Sequence, residues 1–251
     1  MLCGQERPTS QSGQDLFLWH NYFAPLTMQG RKGFYVDSGT NDYRHLSNTF
    51  FFDRCLGWEG LCIEPLTKYH ENIRKHRTCK LVPECISSTP NSTLLMQLES
   101  HGEQHGSLVV INTTRSGRQR VFGKKPVEIK CNPLHVMLAG AGRSAVDLWS
   151  LDVEGHEEQV LSSVMWDVTP VGVLLVEGYA KQTKQHEIIL SNAGSGLTLE
   201  RQMAGDAVFA DRRRVGALPA GKPRDLWLPP LEPMLANSIN TIPATITPSQ
   251  R

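Results

Sequence analysis

The sequence predicts an α/β fold in which a parallel sheet is buried between helices on both faces. Two observations carry that expectation. Short apolar runs, GFYVDSG, GLCIEP, CKLVPECI, VDLWSLDVEG and VGVLLVEGY, are strand-prone and mostly end in Asp, Glu or Gly. Helical spacing alternates with them, and strand, helix, strand in that order builds a sheet covered on both sides. The composition permits such a core, since 39% of the 251 residues are apolar even before 21 glycines are counted.

The elements follow in chain order. GFYVDSG is the first strand, and Asn48 to Leu56 carries Phe51, Phe52 and Leu56 on one helical side. GLCIEP is the second strand. Thr67 to Arg77 is a helix with Thr67 as its expected cap, leading into the run CKLVPECI. Residues 87–123, rich in Ser, Thr, Asn and Gly around LLMQL and SLVVI, read as an excursion or hairpin before the strand VEIKCN. The strand ending in DVEG precedes a helix from Glu157 to Met165, in which Val160, Leu161 and Val164 share a face, and VGVLLVEGY follows. Beyond Leu218 stand 7 of the chain's 15 prolines, a segment too poor in apolar periodicity to order itself. The expected organisation is an extension over residues 1–14, one domain over 15–217 and a Pro-rich tail over 218–251.

Charge and cysteine content bound the partners and the compartment. Lys plus Arg number 26 and Asp plus Glu 25, so no net field draws the molecule to nucleic acid or an anionic membrane. Arg212, Arg213 and Arg214 lack interleaved aromatics and read as a solvated edge. The longest apolar run, Val171 to Val176, is far short of the ~20 residues of a membrane span. With no apolar run near the first residue, the expected location is cytoplasmic. Cys3, Cys55, Cys62, Cys79, Cys85 and Cys131 have no metal-binding spacing and read as idle or buried thiols. The glycosylation sequons Asn91-Ser92-Thr93 and Asn112-Thr113-Thr114 carry no information without secretion.

Ligands of open α/β sheets sit beyond the carboxyl ends of the strands, so polar residues there are the candidate site. Gly39, after Asp37, permits a sharp turn and a close backbone approach. Glu64, ending the second strand, stands at the interval from that turn expected of an acid for ribose hydroxyls. Without a full GxGxxG, a pyrophosphate-bearing dinucleotide and nicotinamide chemistry are disfavoured. Asp152 and Glu154 alternate to the same side of their strand, and a glycine turn then delivers His156. Glu177 adds a carboxylate at the same sheet edge. The expected catalytic residues are His156, Glu154 and Asp152, one of them taking the proton of an acceptor hydroxyl. No metal is required, although Asp152 and Glu177 could hold a hard divalent cation such as Mg²⁺.

The series GFYVDSGTND, LSNTFFFDRCLGWEGLCIEP, SLDVEGHEEQVL and VGVLLVE, with SQSGQDLFLWHNYF upstream, resembles the FkbM-type S-adenosylmethionine-dependent methyltransferases. The resemblance spans about Ser10 to Asp211. It implies a class I methyltransferase fold, Rossmann-like and three-layered α/β/α, with a mostly parallel seven-stranded sheet and an antiparallel last strand. It also implies O-methylation of a hydroxyl on a sugar, glycan or other small metabolite, with S-adenosyl-L-methionine as cofactor. By the same resemblance, Asp37, Gly39 and Asn41 line the methionine end of the cofactor, Glu64 holds the ribose, Cys85 and Ile86 lie near the adenine, and Asp152 lies near the methyl group. The family usually has Gly-Ala-Asn-Asp-Gly where this chain has Gly39-Thr40-Asn41-Asp42-Tyr43. Tyr43 at the second glycine position points to the alternative of a non-catalytic binding or interaction module.

Overall fold

Alternation with a period of two decides which residues of the apolar runs face which layer. In the computed structural model, which describes residues 9–98, 108–110 and 127–215, the main sheet comprises β1 (Phe34–Ser38), β2 (Glu59–Ile63), β3 (Lys80–Val82), β8 (Val146–Leu151), β9 (Val171–Glu177), β10 (Thr198–Met203) and β11 (Asp206–Ala210). Between β3 and β8 the chain makes β4 (Cys85–Ile86), β5 (Ser92–Leu98), β6 (Leu108–Val110) and β7 (Val127–Asn132). The helices are α1 (Gln14–Leu18), continued by a π turn into α2 (Ala24–Met28), then α3 (Phe50–Arg54), α4 (Thr67–His76), α5 (Leu134–Gly140), α6 (Glu157–Ser163), α7 (Ala180–Asn192) and α8 (Arg212–Val215).

The seven strands lie in the order β10-β11-β9-β8-β1-β2-β3. Neighbours from β9 through β3 pair in parallel, whereas β11, the last strand, runs antiparallel between β9 and β10. Val36, Leu61, Ile63, Trp149, Leu174 and Val176 face one layer with Leu138 of α5, Leu161 of α6 and Leu190 of α7. Tyr35, Cys62, Leu148, Val173 and Leu175 face the other with Phe17, Trp19, Phe23, Phe52 and Ile73. Burying each such side chain is worth about 1.5–3 kcal/mol, so both helical layers are held by apolar contact. The three-layer α/β/α class is as the sequence predicts.

Three local expectations are corrected. The run CKLVPECI is two strands, because Pro83 lacks the N–H that would continue the ladder; β3 stays in the main sheet while β4 joins the four-stranded sheet β4-β7-β5-β6. Thr67 is the first residue of α4, not its cap, and the preceding Leu66 N–H is bound by Glu64 instead. The cysteines are not idle thiols. Cys62 pairs with Cys79 and Cys85 with Cys131, at Cα separations of 5.8 and 4.3 Å, and no described cysteine is free.

The excursion is a hairpin of β5 and β6 plus β7, as its composition predicts. No helix among the described residues is long and apolar enough to cross a membrane. The Pro-rich tail lies outside the described residues. Residues 9–14 run into the fold, where Asp15 accepts hydrogen bonds from Thr9 N–H and the Ser10 hydroxyl. Arg212 is engaged by Glu200 and lies over the Tyr22 ring, while Arg213 and Arg214 pair with Asp211.

Candidate active site

The parallel strands bring the residues singled out in the sequence to one edge. At the end of β1, Gly39 has φ +78°, and a Cβ built there would stand 1.8 Å from the Asp152 carbonyl oxygen. Only glycine permits this approach of the β1 and β8 tips. Gly39→Ala therefore forces the two tips apart; the expected loss is about 1–3 kcal/mol or more, read from the denaturant midpoint. An unchanged midpoint would contradict it.

Asp37, just before this turn, does not present a free carboxylate. It accepts a 2.5 Å hydrogen bond from the Thr49 hydroxyl and lies 3.5 Å from the Arg77 guanidinium. Burial pushes its pKa up against the opposing pull of Arg77. Arg77 is 6% exposed and also donates to Asp53, Tyr35, Thr49, Ser47 and the Tyr43 carbonyl. This network ties the loop after β1 to the end of α4, so Asp37 and Arg77 shape the turn from beneath.

At the end of β2, Glu64 is 3% exposed and accepts the N–H of Asn41 (2.8 Å) and of Leu66 (2.7 Å), one on each oxygen. Each oxygen keeps a second lone pair, so the carboxylate fits a pair of ribose hydroxyls. Burial outweighs the two donors and pushes its pKa up to about 7. A raised carboxyl stabilises the fold relatively at low pH, where it is protonated, and the advantage is lost as the folded group ionises. Stability of the ligand-free protein is expected to fall as pH rises from about 4.5 through about 7. Denaturant titrations at pH 5 and pH 8 test this, and a higher midpoint at pH 8 would refute it.

The β8 and β9 tips hold the carboxylates. Asp152 and Glu177 are hydrogen-bonded to each other, and one oxygen of each lies within 4.8 Å of a Glu157 oxygen. Burial, then mutual repulsion with Glu154 and Asp206 adding, raises the pKa of Asp152. Glu177 is raised too, first by burial and then by Glu157. Both carboxyls are therefore held above the ordinary carboxylate range. Glu157 Oε1 accepts the N–H of Val153 (2.9 Å) and Gly155 (3.1 Å), which folds the Asp152-Val153-Glu154-Gly155 segment into a tight turn. Glu154 takes φ +57° there. His156 caps α6 half-buried; burial lowers its pKa, and its Nδ1 has no hydrogen-bond partner.

Glu157, Asp206 and Gln14 belong to this cluster although the sequence argument did not assign them. Gln14, from α1, donates to the Asp206 carboxylate. Glu157 could have been found from its place in the acidic motif, but Gln14 and Asp206 are 192 residues apart and had no local signal. Cys85 lies in β4 of the second sheet with its sulfur committed to Cys131, leaving Ile86, 8% exposed, as the apolar candidate beside it. Tyr43 is not in the left-handed region. Its ring stacks on His76 at 4.4 Å and meets Phe50 edge-on. The glycine replaced by Tyr43 is therefore not demanded by the backbone here.

A parallel sheet with an antiparallel strand inserted before its edge is the class I methyltransferase fold, and acids stand at the carboxyl ends of its β2, β8 and β9. The sequence profile described as "Methyltransferase FkbM domain" matches residues 37–195. The chain belongs to this FkbM family of S-adenosylmethionine-dependent methyltransferases.

Among solved structures, precorrin-6y C5,15-methyltransferase from Geobacter metallireducens GS-15 is similar, with 10% identity over 74% of this chain and 85% of that one and a TM-score of 0.36. A methyltransferase from Pyrococcus furiosus is similar with 8% identity over 75% and 81% and a TM-score of 0.35. Nothing about this chain's chemistry follows from likenesses so distant. No curated protein matches the chain.

Proposed function

We propose that the protein methylates a hydroxyl oxygen of a sugar or another small metabolite. The observation that carries this reading is the hydrogen-bonded Asp152 and Glu177 pair beside the Gly39 turn. When bound, S-adenosylmethionine supplies an electrophilic methyl group on a positively charged sulfur. Glu64 would hold its ribose hydroxyls, Asn41 and Ile86 would line it, and the acidic cluster would favour the sulfonium charge. An alcohol is a poor nucleophile until its proton is taken. The ionised member of the Asp152 and Glu177 pair would accept that proton from the acceptor hydroxyl. Glu154 keeps the pair's proton affinity high, and the neutral His156 imidazole is a second acceptor at the start of α6.

The sugar assignment draws on Tyr179, which is 67% exposed two residues beyond Glu177 and offers an aromatic face to ring C–H groups. Asp152, Glu157 and Glu177 also lie close enough together to hold a hard divalent cation, and chelation separates that route from one run by the carboxylate pair alone. Activity is expected to survive exhaustive chelation. Titration calorimetry with S-adenosylmethionine, followed by methyl transfer to a panel of free sugars and glycans, tests the whole reading. No heat at millimolar cofactor would overturn it in favour of a binding or interaction module on the same fold. Binding without transfer to any sugar would remove the acceptor class.

A further inference from the structure

The sequon Asn91-Ser92-Thr93 gains meaning from the disulfides. Cytosolic reductants keep thiols reduced, whereas paired cysteines form and persist in oxidising compartments. Two pairs are closed here between residues distant in sequence, by 17 and 46 positions. One member of each, Cys62 and Cys131, is fully buried, so the pairing belongs to the core. Asn91 lies in the turn before β5 and is exposed, and its backbone N–H donates to Asn132 Oδ1 at 2.8 Å. Asn132 follows Cys131 directly, so the Cys85–Cys131 bridge and this hydrogen bond frame the turn together. Thr93, the hydroxyl residue that acceptor recognition requires, is exposed as well.

We propose that Asn91 carries an N-linked oligosaccharide, added in the oxidising compartment in which the disulfides form. The donor class is a polyisoprenyl-pyrophosphate-linked oligosaccharide. The Asn91 side-chain nitrogen bonds to the anomeric carbon of its first N-acetylglucosamine, the bond from that carbon to the pyrophosphate oxygen breaks, and the amide proton passes to the transferase base. The product has a glycan on an exposed turn, outside the core.

The test begins with protein isolated from the cells that make it, treated with peptide-N-glycosidase F in ¹⁸O water and mapped by peptide mass spectrometry. Asn91 is expected to be recovered as ¹⁸O-labelled aspartate, and the map separates it from Asn112, which lies outside the described residues. In a secreting eukaryotic host, Asn91→Gln and Thr93→Ala are each expected to remove one glycan's mobility shift, while Ser92→Ala retains it. Should Asn91→Gln fail to fold, Thr93→Ala still decides, because it leaves the asparagine in place. An unmodified Asn91 peptide would overturn the proposal. So would maleimide labelling of Cys62, Cys79, Cys85 and Cys131 in the native protein without prior reduction.

Discussion

Arg77→Ala is expected to destabilise the protein by about 3–5 kcal/mol, the cost of leaving buried charge without its partner. The guanidinium lies 2.5 Å from Asp53 and 3.5 Å from Asp37, and both carboxylates are buried. It also satisfies the Tyr35 hydroxyl at 3.0 Å and Thr49 at 2.7 Å. At ~2–4 °C per kcal/mol for a domain of this size, the melting temperature should fall by on the order of 10 °C. Arg77→Lys keeps the charge but not the fork of donors, and should lie between the two. The variant also has a pH signature. Without the cation, burial acts unopposed by Arg77 to raise the Asp37 carboxyl, so Arg77→Ala should regain part of its stability as pH falls towards 4. A loss below about 1 kcal/mol at pH 7 would show that the network is not the keystone described.

Replacing Asp152 by Asn or Glu177 by Gln is expected to lower kcat by about 10²–10⁴-fold, the contribution of a positioned base. Cofactor affinity should change far less, since Glu64 and the Gly39 turn lie on other strands. The stability effect should have the opposite sign. Either change removes one of two repelling carboxyls, so the midpoint should rise at pH 8, where the fold holds on to protons that the unfolded chain releases, and rise less at pH 5. Double substitution should cost little more than either single one, because the two act as one hydrogen-bonded unit. A kcat within tenfold of wild type for both single variants would place the base elsewhere, with His156 the next candidate.

Much of the fold was legible because the strands are buried on both faces and read as unbroken apolar runs. The acids at their ends were legible for a related reason: a charge closing an apolar run is conspicuous. Arg77 was not. In Lys75-His76-Arg77 it reads as the solvated basic end of a helix, and only the crossing of α4 under the β1 loop makes it the most enclosed cation of the described fold. The cysteines were equally silent, since pairing depends on which strands become neighbours and spacing alone does not specify that. Tyr43 looked like damage to a glycine motif, yet the backbone there needs no positive φ and the ring finds a partner in His76.

The sequence by itself determined the buried parallel strands of the main sheet, the helices that alternate with them after β1, β2 and β8, and the edge at which the carboxylates gather. These follow from local periodicity and from the constraint that parallel strands end on the same side. Tertiary structure alone decided which carboxylates are free and which are spoken for. Asp37 is paired with Arg77 from beneath, Glu64 is held by two backbone N–H groups, and Asp152 and Glu177 are left facing each other with both proton affinities raised. A carboxylate's chemistry is set by the charges and donors within a few ångströms of it, and those arrive from segments far apart in the chain.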